Sequence, residues 1–150
     1  METQNAKSKQ AYQHVLTVNA AAGRAMDGIA AVDQWWAKKV KGKTTKLNDE
    51  FSVHFGTTFV NFRISEFIPG KKVVWLVTDC YLDWINDKRE WKNTSVIWSI
   101  SRKKDATITD FRHDGLTPDR ECYESCNAGW THHLDDSLQK LIETGKGFPE

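Results

Sequence analysis

The chain has 150 residues, 39% of them hydrophobic, with 21 basic and 20 acidic side chains and a formal net charge of +1. That length suits one domain, and so little net charge with this apolar content favours a folded chain over a disordered one. The charge balance argues against a nucleic-acid protein, and no stretch approaches the ~20 apolar residues of a membrane-spanning helix.

Residues 1–10 are polar, lack the apolar core of a secretion signal, and are expected to form a flexible tail ahead of a single domain at 11–150. Residues 13–18 read as a first strand. Asn19 is placed to cap a short Ala-rich helix at 20–28, which Gly23 weakens. A second short helix is expected at about 32–40, carrying Trp35 and Trp36, followed by a basic loop at 38–46. The apolar period then changes to two. Phe51, Val53 and Phe55 alternate with polar residues, Phe62 and Ile64 continue after a turn near Gly56, and Pro69-Gly70-Lys71 is a strong turn signal. Residues 73–77 form an apolar strand and Asn86-Asp87-Lys88 a connection. Strands at 94–100 and 107–113 flank a polar turn at Lys103-Lys104-Asp105. Short strands with polar turns between them indicate an antiparallel meander.

The C-terminal part changes character again. Thr117-Pro118-Asp119 has the form of a helix start. Cys122, Cys126, Trp130, Leu134, Leu138 and Leu141 follow at spacings of three or four, a single apolar stripe that ends at Gly145 and Gly147. One helix of about 27 residues, roughly 40 Å long, is expected from Thr117 onward. A sheet with one apolar face needs a cover, and this helix is the cover at hand.

Three cysteines do not make a disulfide framework. Cys122 and Cys126 fall on the same expected helix, where a bridge would constrain little and fit poorly. Both are expected to be small residues facing a tight interface, in a protein of the reducing cytoplasm.

Taken together, several strings resemble a known group. They are residues 32–36 (VDQWW), 67–75 (FIPGKKVVW), 90–94 (EWKNT) and 111–116 (FRHDGL), then Cys122-Tyr123, Cys126, Gly129-Trp130 and 143–147 (ETGKG). This pattern resembles the START-like helix-grip superfamily (SRPBCC), and within it the family related to the C-terminal domain of the heat-shock chaperone ATPase activator. The resemblance covers about 15–149. It implies an α+β fold in which a curved antiparallel sheet of about six to seven strands grips one long C-terminal helix, with two short helices after the first strand and a hydrophobic cavity between sheet and helix. Members bind lipids, polyketides and other apolar molecules, and some are cyclases or hydrolases. The chain departs from the pattern at Arg112, where a Thr is usual. It is also one domain, where the chaperone activator is larger.

The cavity residues expected are Phe55, Phe62, Trp75, Trp98 and Phe111 from strands, and Trp35, Trp130 and Leu134 from helices. Each is equally suited to filling a core. His113 shares the inward parity of Phe111. It could orient a ligand oxygen or carry a proton, though a structural His bonded near Asp114-Gly115 is the stronger reading. His132 and Asp136 lie one helical turn apart, but two ligands do not make a structural zinc site, so no metal and no cofactor are expected. No G-x-S-x-G elbow and no glycine-rich phosphate loop occur. Three functions stay open: a carrier, sequestering protein or sensor for a small apolar molecule; a module that binds a chaperone ATPase; and a cyclase- or hydrolase-like enzyme using His113. The first is favoured over catalysis, which stays open, with no nucleic acid, no membrane insertion, and a monomer or dimer as the assembly.

Overall fold

The computed structural model describes residues 10–150, so the tail expected at 1–10 lies almost wholly outside the described residues. In chain order the elements are β1 (Tyr12–Val18), α1 (Ala22–Ala30), α2 (Val32–Trp35), β2 (Lys39–Gly42), β3 (Glu50–Phe55), β4 (Thr58–Ile68), β5 (Lys72–Tyr81), β6 (Ser95–Lys103) and β7 (Ala106–Asp114). The C-terminal helix α3 follows as three continuous pieces: Tyr123–His133, a π-helical turn at Leu134–Leu138, and Gln139–Thr144. The strands form one seven-stranded sheet in the order β1-β7-β6-β5-β4-β3-β2, with every neighbouring pair antiparallel. From β3 to β7 it is a meander. The α1–α2 excursion carries the chain from β1 to the opposite edge.

The alternation that marks the strands is the alternation that buries them. On β6, Val96, Trp98 and Ile100 are buried while Ser99 and Ser101 face out; on β7, Thr107, Thr109, Phe111 and His113 are buried. These inner residues form one core with α1, α2 and α3. The β4–β5 register shifts at Asn61/Phe62 and again at Ile64/Glu66, and bulges of this kind bend a sheet.

The basic segment expected as a loop is instead edge strand β2. It pairs from Lys39↔His54 to Gly42↔Phe51. It carries no apolar alternation because only Val40 is half-buried, so backbone pairing rather than side-chain burial defines it. Gly42 is required there: its φ is +98°, and a Cβ would lie 2.2 Å from the Glu50 carbonyl oxygen. The helix expected to reach residue 40 stops at Trp35 after a single turn. Helix α1 begins at Ala22, and the Asn19 side chain does not cap it; the Asn19 N–H donates to the Glu143 carboxylate at 2.9 Å.

Helix α3 also starts later than expected, at Tyr123 rather than near Thr117. Thr117 gives its hydroxyl to the Asp119 side chain. The helix N-terminus is served by Glu90, distant in sequence, whose carboxylate accepts from the Glu121 N–H at 2.7 Å and the Cys122 N–H at 3.0 Å. A carboxylate at this end also meets the positive pole of the helix dipole. The π turn has a cause in the stripe itself. Buried residues recur strictly every fourth position at 122, 126, 130, 134, 138 and 142. At 3.6 residues per turn such a row drifts by about 40° per step, and the wider π turn returns part of that drift. Ser137, in this turn, is buried and bonds the Trp35 carbonyl at 2.7 Å.

Cys122 and Cys126 are joined as a disulfide, against the sequence-based expectation. The expectation placed both on regular helix. Cys122 is instead the non-helical N-cap, with φ −90° and ψ 4°, and the Cα atoms stand 5.5 Å apart, within the range a bridge accepts. The pair therefore lends no support to a reducing compartment; Cys80 remains a free, buried thiol. Among the described residues no helix is long and apolar enough to cross a membrane.

Candidate functional site: an aromatic cavity beside the C-terminal helix

At one end of the sheet–helix interface lies a cavity of about 330 Å³, partly open to solvent. The sheet contributes Phe55 at the end of β3 and Thr58 and Val60 on β4. Helix α3 faces them with Cys126, Gly129, Trp130 and His133. The third wall comes from the β5–β6 connection through Leu82, Asp83, Trp84 and Trp91. Trp36 packs against both Trp130, with ring centroids 4.8 Å apart, and Phe55, at 6.1 Å. Trp91 stacks on Trp130 at 5.9 Å with the planes 8° apart. Glu150 completes the rim, pinned by its N–H to the Trp36 carbonyl and by its carbonyl to the Lys38 N–H.

The connection is tied to the helix in both directions. Glu90 holds the helix N-terminus as described, and Glu121 in return accepts from the Asn86 and Asp87 N–H groups at 2.7 and 3.0 Å. These two bonds hold the Glu121 carboxyl below its ordinary range. On the rim, the Trp84 indole donates to the Ser125 hydroxyl at 3.2 Å although half of Trp84 is solvent-exposed.

His113 does not line the cavity. It is fully buried behind it, in a chain of hydrogen bonds whose directions are all fixed. The Trp130 indole N–H donates to His113 Nδ1 at 3.1 Å. That makes Nδ1 the acceptor, so Nε2 carries the proton toward Thr94 Oγ1 at 2.9 Å. The Thr94 hydroxyl then donates to the Trp91 carbonyl at 2.6 Å. Burial pushes the imidazole pKa down to about 3, with the Arg120 charge adding to the effect. The ring is therefore neutral, and both nitrogens are engaged. It positions Trp130 and Trp91, two walls of the cavity.

The titratable groups at the cavity itself are Asp83, His133 and Glu150. Hydrogen bonds from Thr57 and Thr58 hold the Asp83 carboxyl low. Burial lowers the His133 pKa, opposed by Glu150 4.0 Å from its Nε2. His133 Nδ1 is buried with no hydrogen-bond partner. His132 and Asp136 form an exposed pair at 2.9 Å, a solvated helix face. Among the described residues no group of three or more His, Cys, Asp or Glu side chains is arranged to hold a metal ion.

Of the residues expected at a cavity, Phe55 and Trp130 line this one. Trp35, Trp75, Trp98, Phe62, Phe111 and Leu134 are packed in the core with no more than 1% exposure. Trp98, for example, meets Trp35, Trp75 and Phe111 at 5.8, 5.3 and 4.8 Å between centroids. Trp36, Trp84, Trp91 and His133 were not anticipated. Trp36 follows a one-turn helix, so no period separates its direction from that of Trp35. Trp84 and Trp91 carried a usable signal: two large aromatics in a connection otherwise rich in charge.

No protein-family model matches the sequence, and no curated protein matches it. Solved structures do. The solution structure of the Aha1 dimer from Colwellia psychrerythraea is similar at 19% identity, covering 90% of this chain and 97% of that one, with a TM-score of 0.73. The chain shares the α+β helix-grip fold of that structure. The same helix-grip arrangement is shared with DynU16, a putative protein in the dynemicin biosynthetic locus, at 17% identity and a TM-score of 0.66 over 90% of this chain and 48% of that one. CalU16 from Micromonospora echinospora matches at 15% identity and a TM-score of 0.66, over 91% and 75% of the two chains. The α+β architecture expected from sequence is therefore the observed one, with its bent sheet, long C-terminal helix and short helices after the first strand.

Proposed function

We propose that this protein binds a small, largely apolar molecule in the cavity between β3–β4, the β5–β6 connection and α3, as a carrier, sequestering protein or sensor. The observation that carries this reading is the hollow itself. About 330 Å³ walled by tryptophans, in an interior otherwise filled by them, lies at the lower end of the roughly 300–1,000 Å³ typical of small-molecule sites. His113, the one histidine suited by parity to chemistry, has neither nitrogen free, which supports binding over catalysis.

Gly129 supplies the test. It lies on the cavity wall, and a Cβ built there has no atom within 4 Å. In calorimetric titration 1-naphthalenemethanol is expected to bind the native protein, and Gly129→Phe, which places a ring in the hollow, should remove binding while leaving the circular dichroism spectrum unchanged. Equal binding by the native and Gly129→Phe proteins would refute the assignment.

A second reading, a module that docks on a chaperone ATPase, has the likeness to the Aha1 dimer in its favour. A pull-down with the chaperone and its ATPase rate with and without this protein decide it.

A further inference from the structure

We propose that the ligand of this cavity is a cation: an aromatic or otherwise apolar body bearing an ammonium group. The inference rests on the ligand-binding reading above and adds the charge of the ligand to it. Its basis is the pairing of indole side chains with carboxylates at one mouth. Trp36, Trp84, Trp91 and Trp130 all line the cavity, and an indole face is the best π surface for an ammonium ion. Asp83 and Glu150 stand on the rim. Among the described residues no Lys or Arg lines the space.

The nearby cations are accounted for. Lys88 donates its ammonium to the main-chain oxygen of Asp83 at 2.9 Å and lies over the Tyr81 ring at 5.9 Å, outside the lining. His132 Nε2 is 3.5 Å from Glu150 on the exposed side. His133 is held toward its neutral form by burial. A carboxylate ligand would face two anions across low-dielectric aromatic walls, with no fixed positive charge to receive it. An ammonium meets the reverse arrangement, and such a mouth concentrates cations.

The test holds the apolar body constant and varies only the charge. Calorimetric titrations at pH 7.5 and low salt compare 1-naphthylmethylammonium, 1-naphthalenemethanol and 1-naphthoate. The expected order is ammonium, alcohol, carboxylate, with about tenfold or more between first and last and a gap that narrows as salt is added. The double variant Asp83→Asn, Glu150→Gln, at two exposed positions, should bring the three affinities within about threefold of one another. An ammonium no tighter than the alcohol, or a double variant that retains the full preference, overturns the cation assignment and leaves the cavity reading standing. Failure of all three compounds to bind overturns both.

Discussion

The two ends of the helix–sheet interface use the same kinds of residue and close differently. At the filled end, Trp35, Trp75, Trp98 and Phe111 meet edge to face in a single aromatic cluster, and Leu134, Leu138 and Ile142 add aliphatic bulk from the helix. At the hollow end α3 presents Ser125 and Gly129 beside Cys126 and Trp130, and one of the walls is a connection rather than a strand. An apolar stripe on a helix thus secures burial, but whether it leaves space depends on the small residues beside it. The contrast predicts that tryptophans at the filled end carry stability and those at the hollow end carry binding.

The largest effect is expected from Trp98→Ala. Trp98 is fully buried, and its loss should cost about 3–5 kcal/mol, read as a drop in the urea midpoint. Trp84→Ala, half-exposed on the rim, should cost less than about 1 kcal/mol yet weaken ligand binding. Equal destabilisation by the two would erase the distinction between the ends.

His113 sits behind the hollow end, against Trp91 and Trp130, and its prediction is one of pH. An imidazole whose pKa falls to about 3 on folding, against about 6.5 in the unfolded chain, contributes stability that is complete above pH 6.5. As pH falls below 6.5 the unfolded chain takes up a proton that the folded chain refuses, so stability should decline by about 1.4 kcal/mol per pH unit toward pH 3. His133, also lowered by burial, adds in the same direction. Urea titrations of native protein and His113→Gln at pH 7, 6 and 5 measure this. The variant should be less stable at pH 7 and show a shallower decline; parallel curves would mean that the ring takes up its proton equally in the folded and unfolded chains.

The strands and the existence of a terminal helix were legible because alternation and the four-residue stripe are local patterns. Phe51, Val53 and Phe55 could hardly be read otherwise. What the sequence hid were the partners that come from afar. Glu90 caps α3 across a separation of 31–32 residues, so a start at Thr117-Pro118 looked complete. Strand β2 is made by pairing alone. Much of the cavity wall lies among residues without periodicity, Trp36 after a single helical turn and Trp84 and Trp91 in a connection, whereas parity rules, Phe55 and Trp130 apart, point to the face that is packed solid. Glu90→Gln tests the long-range cap: losing the charge from two N–H groups at a helix start should cost about 1–2 kcal/mol. Because Glu90 fixes the connection that bears Trp91, ligand affinity should fall with it.

The smallest change bears most directly on the difference between the ends. Gly129 is an interior helical residue, and replacing glycine by alanine in a helix contributes about 0.5–1 kcal/mol when the methyl has room. At the filled end the same substitution is blocked: a Cβ on Gly28 would lie 2.7 Å from the Ile142 side chain. Gly129→Ala should therefore raise the urea midpoint and Gly28→Ala lower it. The sign of each reports whether space lies beside that glycine, independently of any ligand. If Gly129→Ala were destabilising, the wall at Trp130 would be packed like the rest of the core, and the aromatic side chains around it would be structural.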